Sequence, residues 1–167
     1  LFTVGLILGA VLTTLYAVRG ASELLFERAF WVRLRRGRMQ AEIDELRDHT
    51  ILCGFGRTGQ QVQGELAAEG MATVVVERDE AVVARLVADG LRVVEGDATH
   101  DEVLLRAGVQ RARALIAVAG TDATNLMIAL SVRDLCPSVV VAARADHADA
   151  AHKLRRAGAH YVVQTHG

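Results

Sequence analysis

Three glycines and one acid define the chemistry open to this chain. Gly54, Gly56 and Gly59 stand in G-x-G-x-x-G spacing directly after the apolar run TILCG, and Glu77 closes the next valine-rich run. Gly54 permits a tight turn from strand to helix, Gly56 lets a pyrophosphate approach the backbone with no Cβ in the way, and Gly59 lets the helix pack closely on the strand. Phosphates would then lie over the unpaired N–H groups of a helix N-terminus. Glu77 falls where a ribose-binding acid belongs, about 20 residues downstream of the glycines. Its carboxylate can accept both hydroxyls of an adenosine ribose and would repel a 2′-phosphate, which favours NAD(H) or an adenine nucleotide (ATP, ADP or AMP) over NADP. A lone glycine motif often marks nothing but a turn; strand, helix, strand and acid in succession argue for more.

Elements that would position these residues follow from periodicity. Strands are predicted at 50–54, 72–77, 91–96, 114–119, 139–144 and 160–164, and helices at 57–69, 79–89, 100–107, 121–135 and 147–157. Strands of nearly continuous Val, Ile, Leu and Ala belong to a parallel sheet covered on both faces, and six of them joined by helical crossovers make an α/β, doubly wound, Rossmann-like domain. Ligands of such sheets bind beyond the carboxyl ends of the strands, near the switch in strand order. That rule selects Gly54 to Gly59, Glu77, Asp97 with Ala98, Ala119 with Gly120, and Arg144. Asp97 faces either an adenine or the start of the next helix as a cap. Thr121 or Asp122 reads as a helix N-cap. Arg144 is a fork-shaped cation suited to a phosphate, and Arg57 in the glycine loop offers a second.

Other chemistries find little support. The six histidines are scattered, no metal-ligand spacing stands out, and no nucleophile is set beside a base. Cys53 and Cys136 sit in apolar segments and read as free thiols. No substrate domain follows the sixth strand, so an NAD-dependent oxidoreductase is a remote alternative and a non-enzymatic role is expected. A net charge of −1 gives no reason to expect nucleic acid.

The 167 residues hold one ordinary domain and a short appendage. Leu1 to Val18 carry no charge, and the run reads as a membrane helix (1–19) near the lower length limit for spanning a bilayer. The missing initial methionine suggests a fragment. Arg19, Arg28, Arg33, Arg35, Arg36 and Arg38 crowd the next segment against Glu23 and Glu27, so residues 20–48 read as a basic juxtamembrane linker on the cytoplasmic side, with Trp31 at headgroup level. The nucleotide-binding domain then occupies 49–167.

These residues resemble a known family. HTILCGFGRTGQQVQGEL, VVVERD, the run from VVEGDATHDEV through RARALIAVAGTDATN, and KLRRAGAHYVV are similar to the regulator of K+ conductance domain, also called RCK, TrkA-N or KTN. The apolar helix and basic linker resemble the inner pore helix of a two-transmembrane prokaryotic potassium channel, with Gly9 matching its hinge region. The resemblance implies ligand-gated potassium transport at the inner membrane. It implies phosphate contacts at Gly54, Phe55, Gly56, Arg57, Thr58, Gly59 and Arg144, a ribose contact at Glu77, adenine contacts at Asp97 and Ala98, and further contacts at Val118 and Ala119. It also implies dimers that assemble into a ring beneath a tetrameric pore carrying potassium ions. The TVGYG filter is absent from the sequence, and Arg144 replaces a carboxylate of calcium-gated relatives, which favours a nucleotide over calcium. The rival reading is the NAD-binding regulatory domain of a potassium uptake transporter or cation/proton antiporter.

Overall fold

In the computed structural model, residues 37–164 are described. The expected membrane helix (1–19), Gly9, Trp31 and the linker as far as residue 36 lie outside them. Contacts divide the chain into two units, 1–38 and 39–167, and the second holds the fold. The elements of the described residues are α1 (37–45), β1 (Thr50–Cys53), α2 (Arg57–Ala68), β2 (Thr73–Glu77), α3 (Glu80–Ala88), β3 (Arg92–Glu95), α4 (Asp101–Arg106), a 3-10 turn (Val109–Arg111), β4 (Ala114–Ala117), α5 (Asp122–Leu135), β5 (Val140–Ala145), α6 (Ala148–Arg156) and β6 (Tyr161–Gln164).

All six expected strands and five expected helices are present, with most ends trimmed by one or two residues and β5 shifted by one, from 139–144 to Val140–Ala145. β1 stops at Cys53 because Gly54 turns out of the ladder at φ 97°. The helix expected from residue 79 starts at Glu80 because Asp79 is its N-cap, accepting the N–H groups of Ala81 and Val82 at 2.9 and 3.1 Å.

Every pairing is parallel, in the order β3-β2-β1-β4-β5-β6. The order reverses between β1 and β4, which opens a crevice at their carboxyl ends. Side chains alternate across the sheet, so one strand feeds two cores. Ile51 and Cys53 of β1 join Val74, Val76, Leu115 and Ile128 in the larger cluster, with α4, α5 and α6 above it. Leu52 joins Val75, Val83, Leu86 and Val93 in the smaller one, beneath α2 and α3. Each fully buried aliphatic side chain stabilises the fold by about 1.5–3 kcal/mol.

Coverage of the sheet is incomplete at one edge. Tyr161 and Val163 of β6 are 66% and 62% exposed, so the expectation of a sheet buried on both faces holds for β1, β2 and the middle of the sheet but not for this edge strand. Among the described residues no helix lies over that side of β6, and none is long and apolar enough to cross a membrane.

The last residues before β1 are part of the domain core. Ile43 of α1 is fully buried in the larger cluster. The C-terminal carbonyls of α1, which a helix end leaves without partners, accept from Arg111: its Nε reaches the Leu46 carbonyl and its NH2 the Ile43 carbonyl, both at 3.4 Å, and the guanidinium lies 3.7 Å from Asp44. Gln40 donates from Nε2 to the Arg106 carbonyl at 2.9 Å. Buried His49 lies with Nε2 2.9 Å from the Ala107 carbonyl, which fixes Nε2 as the protonated nitrogen.

Candidate functional site

A cleft of about 250 Å³ opens at the carboxyl ends of β1, β2, β4 and β5, at the switch in strand order. Eleven of the twelve residues that the family resemblance assigned to a ligand line it, Gly54, Phe55, Gly56, Arg57, Thr58, Glu77, Asp97, Ala98, Val118, Ala119 and Arg144, as does Gly120 from the strand-end rule. Gly59 does not. It lies beneath the floor, where a Cβ would fall 2.2 Å from the Gly54 carbonyl oxygen, so its place is in the packing of α2 on the turn.

The three glycines have different physical reasons. Gly54 needs its positive φ, and a Cβ there would crowd Ala119 Cα and the Val118 carbonyl at 3.0 Å. Gly56 is the N-cap of α2 with an ordinary extended backbone, φ −71° and ψ −163°, and among the described residues a Cβ there would meet no atom within 4 Å beyond its two chain neighbours. Nothing among the described residues requires a glycine at this position; the space it leaves belongs to the cleft. The start of α2 also receives no side-chain cap, in contrast to α3, capped by Asp79, and α5, capped by Thr121. Uncapped N–H groups beside open space are what a phosphate requires.

Glu77 is held in place by the backbone around it. Oε2 accepts the Phe55 N–H at 2.8 Å, and Oε1 accepts the N–H groups of Arg78 and Asp79 at 2.8 and 2.9 Å. The carboxylate therefore ties the glycine turn to the end of β2 while lining the cleft. Three of its roughly four acceptor positions are used, which leaves capacity for a ribose hydroxyl.

Asp97 settles between its two sequence readings. Its Oδ1 accepts the Thr99 N–H at 2.9 Å and the Thr99 hydroxyl at 2.7 Å, forming the turn before α4. Those bonds, backbone first, hold its carboxyl below the usual range. The N-cap position belongs to His100, whose side chain makes no capping bond, so Asp97 shapes the turn and lines the cleft without capping the helix. Thr121 is the N-cap of α5 as expected, accepting the Thr124 N–H at 3.2 Å.

Arg144 reaches across the cleft from β5. It donates to Thr58 Oγ1 at 3.3 Å and to the Ala119 carbonyl at 3.4 Å, and it pairs with Asp146 at 3.1 Å. Its buried Nε has no hydrogen-bond partner among the described residues. The bonds to Thr58 and Ala119 are long, so an anion in the cleft would compete with them, and with the Asp146 carboxylate, for the guanidinium.

Two features escaped the sequence reading. Asn125 is fully buried and bridges the ends of β4 and β5. Asp122 accepts the N–H groups of Asp146 and His147 at 2.7 and 3.2 Å and pairs with His147 Nδ1 at 2.9 Å. Partial burial pushes the Asp122 carboxyl up, but those hydrogen bonds outweigh it and hold it low. Bonding to Asp122 raises His147 above its ordinary value. The signal for both was the polar cluster TDATN after the fourth strand, which carries no information about partners some 20 positions away.

Residues 50–165 match the TrkA-N domain family. The chain is 33% identical to the probable potassium channel protein 2 of Methanocaldococcus jannaschii over 175 aligned positions, 97% of this chain and 51% of that protein. It is 36% identical over 117 residues to the glutathione-regulated potassium-efflux system protein KefC of Escherichia coli, 70% of this chain and 19% of that one. The chain thus spans about half the length of the channel relative, and much less of the efflux protein. Among solved structures, the GsuK channel bound to NAD superposes with a TM-score of 0.66 at 30% identity, over 72% of this chain and 22% of that one. GsuK bound to ADP superposes with a TM-score of 0.67 at the same identity, over 72% of this chain and 32% of the other. Fold, glycine turn and matched length agree, and the chain belongs to the TrkA-N domain family.

Proposed function

We propose that the cleft binds an adenine-bearing nucleotide, NAD(H) or ATP, ADP or AMP, and that binding regulates potassium movement through a membrane channel. The observation that carries this reading is Gly56. Among the described residues its missing Cβ is demanded neither by backbone conformation nor by packing, and it sits at an uncapped helix N-terminus in the cleft that Glu77 and Arg144 also line. α2 presents its first N–H groups to the phosphates, Arg144 and Arg57 neutralise their charge, and Glu77 accepts from the ribose hydroxyls. Asp97, Ala98, Val118 and Ala119 form the remaining wall. The similarity to GsuK, solved with NAD and with ADP, supports the ligand class.

Regulation follows from differential affinity. A ligand shifts a conformational equilibrium only by as much as it prefers one state, typically about 1–3 kcal/mol. Residues 1–19 act as the pore-lining membrane helix, 20–48 as the cytoplasmic connection, and the domain works as a dimer within a ring beneath a tetrameric pore. The channel relative's match over nearly the whole of this chain supports that arrangement. A regulatory domain of a potassium efflux system is the second reading, favoured by the match to KefC over 117 residues. Neither reading involves catalysis.

Calorimetric titration of the protein with NAD, ADP and adenosine tests the ligand. Saturable binding of NAD and ADP, both tighter than adenosine, is expected; absence of binding by any of the three would refute the assignment. Potassium flux in vesicles carrying the full-length protein, with and without the bound nucleotide, then tests the regulatory role.

A further inference from the structure

Arg144 can grip a phosphate only if the end of β5 is fixed relative to the end of β4, and the sheet does not fix it. The β4–β5 ladder runs from Ala114↔Val140 to Ala117↔Ala143 and stops before Arg144. Beyond it, the Ala119 N–H and the Arg144 carbonyl would lack partners in a partly buried setting. The side chain of Asn125, fully buried in the first turns of α5, supplies both. Oδ1 accepts the Ala119 N–H at 2.8 Å and Nδ2 donates to the Arg144 carbonyl at 2.9 Å, with a longer approach of 3.5 Å to the Ala119 carbonyl. That same Ala119 carbonyl receives the Arg144 guanidinium at 3.4 Å. One amide therefore replaces the missing rung and sets the anchor on which the cation rests.

We infer that Asn125 is a positioning residue for phosphate recognition, acting through Arg144 and Ala119, and that it confers preference for phosphorylated ligands over the bare nucleoside. This rests on the nucleotide reading above. The side chain must accept from an N–H and donate to a carbonyl at once, at a fixed reach. Aspartate has the shape but no donor, and alanine has neither group.

Calorimetry on the full chain with ADP and adenosine, for the wild type, Asn125→Asp, Asn125→Ala, Arg144→Ala and the double variant Asn125→Ala with Arg144→Ala, tests the idea. Each single variant should weaken ADP binding by about tenfold or more while adenosine changes by less than about twofold, the scale of one lost hydrogen bond to a charged group. The double variant should bind ADP no more weakly than Arg144→Ala alone, because a positioning residue has nothing left to position. Equal losses for ADP and adenosine, or an Asn125→Ala penalty that persists without Arg144, would reduce Asn125 to a structural role and overturn the inference. Where the Asn125 variants fold poorly, the wild-type side-chain amide resonances decide: they should shift with ADP and stay in place with adenosine, and no shift with bound ADP overturns the inference. A wild type that binds no ADP refutes the nucleotide reading itself, a separate outcome.

Discussion

Individual residues of the cleft separate by whether the fold itself needs them, and substitutions should tell them apart. Gly56→Asp adds a side chain where the chain has none within 4 Å. It should abolish NAD and ADP binding, by bulk and by like charge, while unfolding stability changes by no more than about 0.5 kcal/mol; calorimetry and urea titration check both halves. Glu77→Ala behaves differently, because its carboxylate also accepts three backbone N–H groups. It should weaken nucleotide binding and also cost about 1–3 kcal/mol of stability in the same urea titration. The glycine spacing made Gly54 and Gly56 legible in the sequence, and the rule for carboxyl ends of strands found Arg144. What the sequence did not carry was Asn125, since its partners Ala119 and Arg144 meet it only through folding.

Elements were legible because each signalled its own period and its own stop. Runs such as TVVVE could only be buried strands, and Asp79 and Thr121 sit where their helices begin. Boundaries moved by one or two residues because turn residues, Gly54 above all, leave the ladder before the apolar run ends. The seating of α2 on β1 depends on Gly59. Gly59→Ala would drive a methyl group to 2.2 Å from the Gly54 carbonyl, which backbone must yield to accommodate. The expected cost is about 3 kcal/mol in unfolding free energy, and nucleotide affinity should fall with it as the glycine turn is displaced. The edge strand β6 was misjudged as covered, because a parallel strand's composition is the same whether or not a helix lies over it.

At the scale of the whole molecule, stability should depend on pH through His49. Burial holds this imidazole below its ordinary value, with the charges of Arg111 and Arg47 adding to the effect against a hydrogen bond to Ala107. The unfolded chain therefore binds a proton more readily than the folded one, so stability is full above the ordinary histidine value and falls as pH drops below it. The slope approaches about 1.4 kcal/mol per pH unit at most. Thermal melts between pH 7.5 and 5.5, a range bracketing the ordinary value of about 6.5, should show that decline, and His49→Gln should flatten it. His147 acts in the opposite sense: its raised value adds stability that is present at low pH and lost as pH rises. With a side chain 83% exposed, it offsets little of the His49 effect.

The clasp of Arg111 on the end of α1 reaches beyond local packing. The family match begins at residue 50, yet a polypeptide cut there would lose Ile43 and His49 from its interior and leave Arg111 facing water across an unfilled hollow. A fragment starting at Met39 should be soluble and monodisperse on gel filtration, whereas one starting at Thr50 should be weaker by about 3 kcal/mol or more and prone to clump. Residues 39–47 are thus masonry of the folded domain itself, and a pull applied at Met39 would be felt first by the α4 side of the sheet.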